Sequence, residues 1–179
     1  MEKFERLQKI RSGGNVSRYH TIPLIRSQDV AAHSWGVAVV YNILWPDDVG
    51  PALVACLYHD CAEFWTGDIP APVKYHSPAV KEAADKVEEE FRDKYDISFD
   101  LDDETKAKIK CADYIELCMR CLEERRMGNT LIDKAFHKGA QLTTEYRKRL
   151  KTNKDGQLVF ELQRAIEKEW NCVTGKELS

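Results

Sequence analysis

A chain of 179 residues is long enough to bury one substantial core and short for two domains. Its 43% hydrophobic and 32% charged residues are the balance of a soluble globular protein. A formal net charge of −3 excludes a general binder of nucleic-acid polymers or of membrane surfaces.

The apolar residues recur with a helical period nearly throughout, without a convincing alternating strand or a repeat, so the expected fold is all-α, one compact helical bundle over residues 1–179. A first helix is expected over about 2–12, with Phe4, Leu7 and Ile10 inward and Gly13-Gly14 as its stop. Residues 13–28 have no clear period and read as a long ordered loop, the kind that is often functional. Asp29 is positioned to cap a second helix over about 29–45, which ends before Pro46 and has Val30, Val37, Val40, Tyr41 and Leu44 on its apolar face, together with His33.

Pro51 suits the first turn of a third helix, expected over about 51–65 and closed by Gly67. Pro70 and Pro72 then predict non-helical chain. Ser77-Pro78 opens a fourth helix to about 95, with Val80, Ala84, Val87 and Phe91 in a stripe, followed by a loop over 96–103. A fifth helix covers about 103–127, with Asp113 beside Ile109, Ala112 and Leu117 on its inner side. Thr130 and Asp133 form a capping-box pattern for a sixth, and the last runs about 155–171.

The first residues lack the apolar run of a signal peptide, and the longest apolar stretch, 37–45, is too short to span a bilayer, so the expected location is the cytoplasm. In that compartment the six cysteines are expected to be thiols, and the Cys118-x-x-Cys121 pair to be core rather than a zinc or redox pair. The charge-rich segments 88–94 and 146–151 read as solvated helix surface.

One stretch breaks the ordinary pattern. LYHDCAEFWTGDIP, residues 57–70, places His59, Asp60 and Glu63 along one side of a helix that otherwise looks like core, because residues three and four apart share a face. An imidazole beside a carboxylate is a ready pair of metal ligands. Two further ionisable groups, His33 and Asp113, lie on inner faces of other helices. Each alone reads as a hydrogen-bonded core or boundary residue. Together they would be four separate desolvation costs unless one divalent cation offsets them.

His33, then His59-Asp60, then Asp113 follow the H…HD…D order of the HD-domain metal-dependent phosphohydrolases, which the chain resembles. The likeness includes SRYH around Arg18, VAAHSWGVA around His33, and HDCAEFWTGDIPAPVKY, and extends over about residues 12–117. It is strongest to the YfbR-like branch of 5′-deoxynucleotidases and the related short phage dATP triphosphohydrolases; the compact length and the RYHT and HSWGVA wording look more like the phage enzymes. The resemblance implies that His33, His59, Asp60 and Asp113 bind a divalent transition metal (Co2+, Mn2+ or Zn2+), with Mg2+ accompanying a triphosphate. It implies catalytic roles for Glu63 and Asp68 with the water or leaving group, and for Arg18 on phosphate oxygens. Tyr19, His20 and Thr21 are expected to shape the substrate loop. Lys74 is either a second phosphate cation or a solvent-facing loop lysine.

The implied substrate is a deoxynucleotide: dATP giving deoxyadenosine and triphosphate, or a deoxynucleoside monophosphate giving phosphate. A non-catalytic nucleotide-binding module would lack Glu63 or Asp68, and both are present. Relatives imply a homo-oligomer, dimer or hexamer, in the cytoplasm, or the host cytoplasm for a phage-encoded chain. Ala32 departs from the many relatives with Glu just before the first ligand.

Overall fold

The computed structural model describes residues 2–48 and 50–175. Among these, nine α-helices succeed one another: α1 Lys3–Gly13, α2 Val30–Leu44, α3 Pro51–Tyr58, α4 Glu63–Thr66, α5 Ala71–His76, α6 Pro78–Lys94, α7 Asp103–Arg126, α8 Asp133–Arg147 and α9 Asn153–Thr174. No named strand occurs among the described residues; an isolated antiparallel bridge pairs Ser17 with Asp29. No helix is long and apolar enough to cross a membrane.

Side-chain caps set three of the starts. Asp29 accepts the Ala32 N–H at 2.8 Å to open α2, and Asp102 accepts the Thr105 N–H at 2.7 Å to open α7. The Thr152 hydroxyl accepts the Asp155 N–H at 3.0 Å to open α9. Each cap satisfies a backbone donor that has no partner within the helix, worth about 1 kcal/mol.

The long helix α7 is the axis of the fold, packed by α2, α3, α8 and α9. Val37 and Tyr41 of α2, Ile115 and Leu122 of α7, Phe136 of α8 and Trp170 of α9 fill the main core, where Phe136 stacks on Trp170 at 3.7 Å between ring centroids. A smaller cluster of Cys61, Ala62, Phe91, Tyr95 and Ile97 lies under α6. Cys56 belongs to the first cluster and Cys61 to the second, so His59 and Asp60 sit on the joint between the two.

Several expectations are corrected. The third helix does not run to 65. After Tyr58 the chain tightens into three-residue hydrogen bonds: Cys61 N–H to Tyr58 O, Glu63 to Asp60, and Trp65 to Ala62. The His59 ring takes the Cys56 carbonyl at 2.7 Å, the acceptor that an α-helix would offer to the Asp60 N–H. The end of α1 also presses on this turn, where a Cβ on Gly13 would lie 2.4 Å from the Cys61 carbonyl oxygen.

Pro70 and Pro72 do not keep the chain irregular but flank the start of α5, where proline's missing N–H costs nothing. Thr130 caps no helix. The Asn129 side chain accepts the Leu131 N–H instead, α8 starts at Asp133, and the Asp133 carboxylate faces Arg125 at 3.3 Å. Phe4 and Leu7 face outward, 65% and 60% exposed, and Val80 is exposed too. Helix α1 is seated through Gly13 and through Ile10, which packs against the smaller cluster as expected, while Leu7 borders an open groove with Ala31 and Leu57. Cys118 and Cys121 are buried core thiols, as expected.

The loop before α2 is ordered by a buried acid. Glu124 of α7, with no exposed surface, accepts the backbone N–H groups of Ile25 and Arg26 at 2.8 and 2.9 Å, the Asn129 amide at 2.9 Å and Arg120 at 3.0 Å. Asn129 and Arg120 in turn donate to the carbonyls of Pro23 and Arg26. Burial alone would push the Glu124 carboxyl up; the hydrogen bonds from Asn129, Ile25 and Arg26 outweigh it and hold the group below its ordinary range. Stability from this group is therefore present above the unfolded pKa of about 4.3 and fades as pH falls through the lower folded value. Glu124→Ala, which takes the facing carboxylate from buried Arg120 and strands two backbone donors, is expected to cost about 3–5 kcal/mol by urea denaturation at neutral pH. A loss under about 1 kcal/mol would show that the acid does not anchor the loop.

Candidate active site

Four segments deliver ionisable groups to one place. Helix α2 points His33 inward, the tight turn after α3 carries His59 and Asp60, α7 carries Asp113, and the clamped loop carries Arg18. His33 Nε2 lies 3.2 Å from Asp113 Oδ1 and 3.6 Å from Asp60 Oδ2. His59 Nε2 is 3.2 Å from the same Asp60 oxygen, and the two imidazole centroids are 5.2 Å apart. Ligand atoms of His33, His59 and Asp60 all fall within 4.8 Å of one another, and these three form the only such group found among the described residues.

Both rings are held by their other nitrogen. His59 Nδ1 is engaged by the Cys56 carbonyl, and His33 Nδ1 by Glu116 at 2.5 Å. Each Nε2 is buried without a hydrogen-bond partner. Two unpartnered imidazole nitrogens aimed at a space bordered by two carboxylates fit a divalent transition cation, whose usual donors are these.

The electrostatics favour positive charge at this point. For His33, burial and the Arg18 charge work against protonation, but the facing Asp113 and Glu116 carboxylates outweigh them and raise the imidazole to about 9. Burial alone would raise Asp60 and Asp113. His59, Arg18 and His33 hold Asp60 well below the usual carboxylate range, while Lys110 and the two imidazoles do the same for Asp113.

Arg18 donates to Asp60 Oδ2 at 2.6 Å, and its buried Nε has no partner. Glu63 opens α4 just after the turn and is buried, with Oε2 unpartnered. Its burial, with the charges of Asp60 and Asp68 added, pushes the carboxyl up to about 9, so it can keep a proton at neutral pH. Asp68 Oδ2 accepts the Tyr19 N–H at 3.0 Å. That bond holds Tyr19 at φ 59°, a left-handed conformation costing a non-glycine residue about 1 kcal/mol, and so fixes the direction in which Arg18 leaves the loop. The Tyr19 hydroxyl is buried and unpartnered.

The remaining substrate-loop residues stand further out. His20 is half exposed, 3.9 Å from Asp68, and Thr21 is at the exposed tip. Lys74 of α5 faces Glu88 at 3.7 Å, with its charge still felt at Glu63. Sequence reasoning missed three neighbours of the cluster: Glu116, Gln28 and Lys110, whose ammonium donates to Asp113 Oδ2 at 2.9 Å. Lys110 and Glu116 are three residues either side of Asp113, and that helical spacing was the available signal. Gln28, in the loop, had none.

A model of the family described as 5′-deoxynucleotidase YfbR-like matches residues 4–154. A 5′-deoxynucleotidase of Vibrio atlanticus is 31% identical over 157 residues, covering 74% of this chain and 80% of the relative. One from Photobacterium profundum is 29% identical over 172 residues, covering 81% and 85%. In fold, the chain is similar to an HD-domain phosphohydrolase of Listeria innocua, with TM-score 0.71, 20% identity and coverage of 99% and 100%. It is also similar to the HD phosphohydrolase DatZ of cyanophage S-2L, described bound to dA and one catalytic Zn2+ ion, with TM-score 0.67, 22% identity and coverage of 94% and 98%. The chain belongs to the YfbR-like 5′-deoxynucleotidase family, a family of hydrolases, and has the fold of the HD-domain phosphohydrolases.

A ligand that binds only the folded protein raises its stability, by about 2.7 kcal/mol at a hundredfold excess over Kd. Scanning calorimetry with added Zn2+ is expected to raise the wild-type Tm and to leave His59→Ala unmoved relative to its own apo form. An equal rise in both would remove His59 from the ligand set.

Proposed function

We propose that this hydrolase cleaves deoxynucleotide 5′-phosphoesters, with dATP going to deoxyadenosine and triphosphate. The observation that carries the reading is Arg18, a largely buried cation with a free Nε, held against Asp60 at the edge of the converging His33, His59 and Asp60 group that Asp113 borders. A guanidinium there matches the oxygens of a phosphoryl group whose phosphorus lies over the cluster.

In this reading His33, His59, Asp60 and Asp113 hold the divalent cation. When bound, such a cation supplies Lewis acidity toward a phosphoryl oxygen and lowers the pKa of water. The oxygen of a water adds to the α-phosphorus, the bond from phosphorus to the 5′ oxygen breaks, and the proton the water releases restores the carboxyl of Glu63 once that group has protonated the leaving oxygen. Arg18 holds the non-bridging oxygens and offsets the charge that accumulates on them. Glu63, a carboxyl that keeps its proton near neutral pH, gives that proton to the departing 5′ oxygen. Asp68 acts through the Tyr19 N–H, holding the loop so that Arg18 and the Tyr19 hydroxyl face the nucleotide. The distal phosphates of a triphosphate meet Lys110, which borders Asp113, with Lys74 and His20 further out.

The whole chain serves as one catalytic domain, in the cytoplasm, as a homo-oligomer. The outward side of α2 supports assembly: Trp35 and Ile43 are 67% and 66% exposed on a helix with no Asp, Glu, Lys or Arg.

A second reading, release of phosphate from deoxynucleoside monophosphates, is favoured by the relatives' being 5′-deoxynucleotidases. Incubation with dATP and with dAMP, in Co2+, Mn2+ or Zn2+, separates the two by product. The expected result is triphosphate from dATP, abolished about a thousandfold in kcat/KM by Arg18→Ala, a loss of about 4 kcal/mol in transition-state stabilisation. Phosphate from dAMP without triphosphate from dATP establishes the second reading. Turnover of neither substrate with any of the three metals contradicts both.

A further inference from the structure

His33 is the most enclosed group of the cluster, with no exposed surface, and everything about its direction is set by one acid on another helix. Glu116 lies three residues after Asp113 on α7, so one face of that helix carries both a candidate ligand and the acid behind a second one. Its Oε2 is 2.5 Å from His33 Nδ1. Its Oε1 accepts the Gln28 amide at 2.8 Å, and Gln28 is itself buried. The Gln28 carbonyl in turn accepts the Arg18 N–H at 2.9 Å.

The packing makes room for this acid and for little else. Gly36 follows His33 by three residues on α2, and a Cβ there would fall 2.7 Å from Glu116 Cγ. The glycine forms a notch in α2 in which the Glu116 stem rests, and the notch keeps the carboxylate level with the imidazole edge. A carboxylate confined in this way can only accept, so when His33 gives up a proton to bind a cation, the hydrogen that stays is the one on Nδ1, and the lone pair is on Nε2. Nε2 is the nitrogen that meets Asp60 and Asp113 and has no hydrogen-bond partner.

We propose that Glu116 is the positioning residue for His33: it fixes the tautomer and the ring direction that present Nε2 to the cation, and Gln28 fixes Glu116. An imidazole hydrogen-bonded to a carboxylate through its far nitrogen is also the more basic donor, and removing such a partner lowers metal affinity by roughly 10- to 100-fold. The proposal rests on His33 being a metal ligand. It does not depend on which nucleotide is the substrate.

The test compares wild type, His33→Ala, Glu116→Gln and Glu116→Ala, each verified as helical by circular dichroism, in Zn2+ affinity by competition with a chromophoric chelator. Glu116→Gln keeps the shape and loses the charge, so it reads the positioning effect even where the alanine variant fails to fold. The expected order is wild type tightest, Glu116→Gln weaker by roughly tenfold, Glu116→Ala weaker again toward a hundredfold, and His33→Ala weakest. Nitrogen-15 spectra of zinc-loaded wild type supply a reading that no variant is needed for, namely a His33 Nδ1–H proton shifted far downfield, with zinc on Nε2. Glu116 variants that bind Zn2+ as wild type does, or a wild-type His33 without a proton on Nδ1, overturn the proposal while leaving His33 as a ligand. A His33→Ala variant with undiminished affinity overturns the ligand assignment itself.

Discussion

The structure depends on four ionisable side chains being brought out of water to one point. Burying a carboxylate without compensation costs several kcal/mol, and here Asp60 and Asp113 face each other's partners across two imidazoles that have no other use for their Nε2 atoms. Arg18 and Lys110 neutralise part of the negative charge from the rim. The remainder is directed at the space between the imidazoles, where ligand atoms of His33, His59 and Asp60 converge within 4.8 Å and Asp113 lies beside His33. The helices are arranged to make that convergence possible: α7 supplies Asp113 from the axis of the main core, α2 packs against it with His33, and the tight turn after α3 supplies the histidine-aspartate pair at the joint between two apolar clusters.

Rigidity around the site comes from polar groups as much as from packing. Glu116 fixes one imidazole, the Cys56 carbonyl fixes the other, and Glu124 clamps the far end of the loop that carries Arg18. Three carboxylates of this chain thus act at different depths: Asp113 facing His33 Nε2, Glu116 behind the same ring at Nδ1, and Glu124 as an internal anchor for backbone donors. All three lie on α7. A long helix with so many buried acids is stable only because each has a defined partner, which is why substitutions along this helix should be felt both in folding and at the site.

Much of this was legible in the sequence. The helix cap at Asp29, proline at the start of α3, and apolar stripes at helical spacing set the all-α fold, while the order His33, His59-Asp60, Asp113 marked the family. Other features depend on tertiary contacts that no local pattern records. Periodicity carried the third helix through to residue 65, whereas the His59 ring and the approach of Gly13 break it after Tyr58. Phe4 and Leu7 are spaced like core residues but are exposed, because a stripe says which residues share a face and not whether another element covers it. Glu124 looks like one more surface acid in CLEERR, and only the loop folding back from residue 25 makes it an anchor.

The central claim is that His33, His59, Asp60 and Asp113 form one metal site. Anomalous diffraction from crystals grown with Zn2+, recorded on both sides of the zinc absorption edge, tests it most directly. The account predicts a strong peak about 2.0–2.2 Å from Nε2 of both His33 and His59, with carboxylate oxygens of Asp60 and Asp113 at similar distance. A peak at other residues, or none at this position in zinc-saturated crystals, would contradict it.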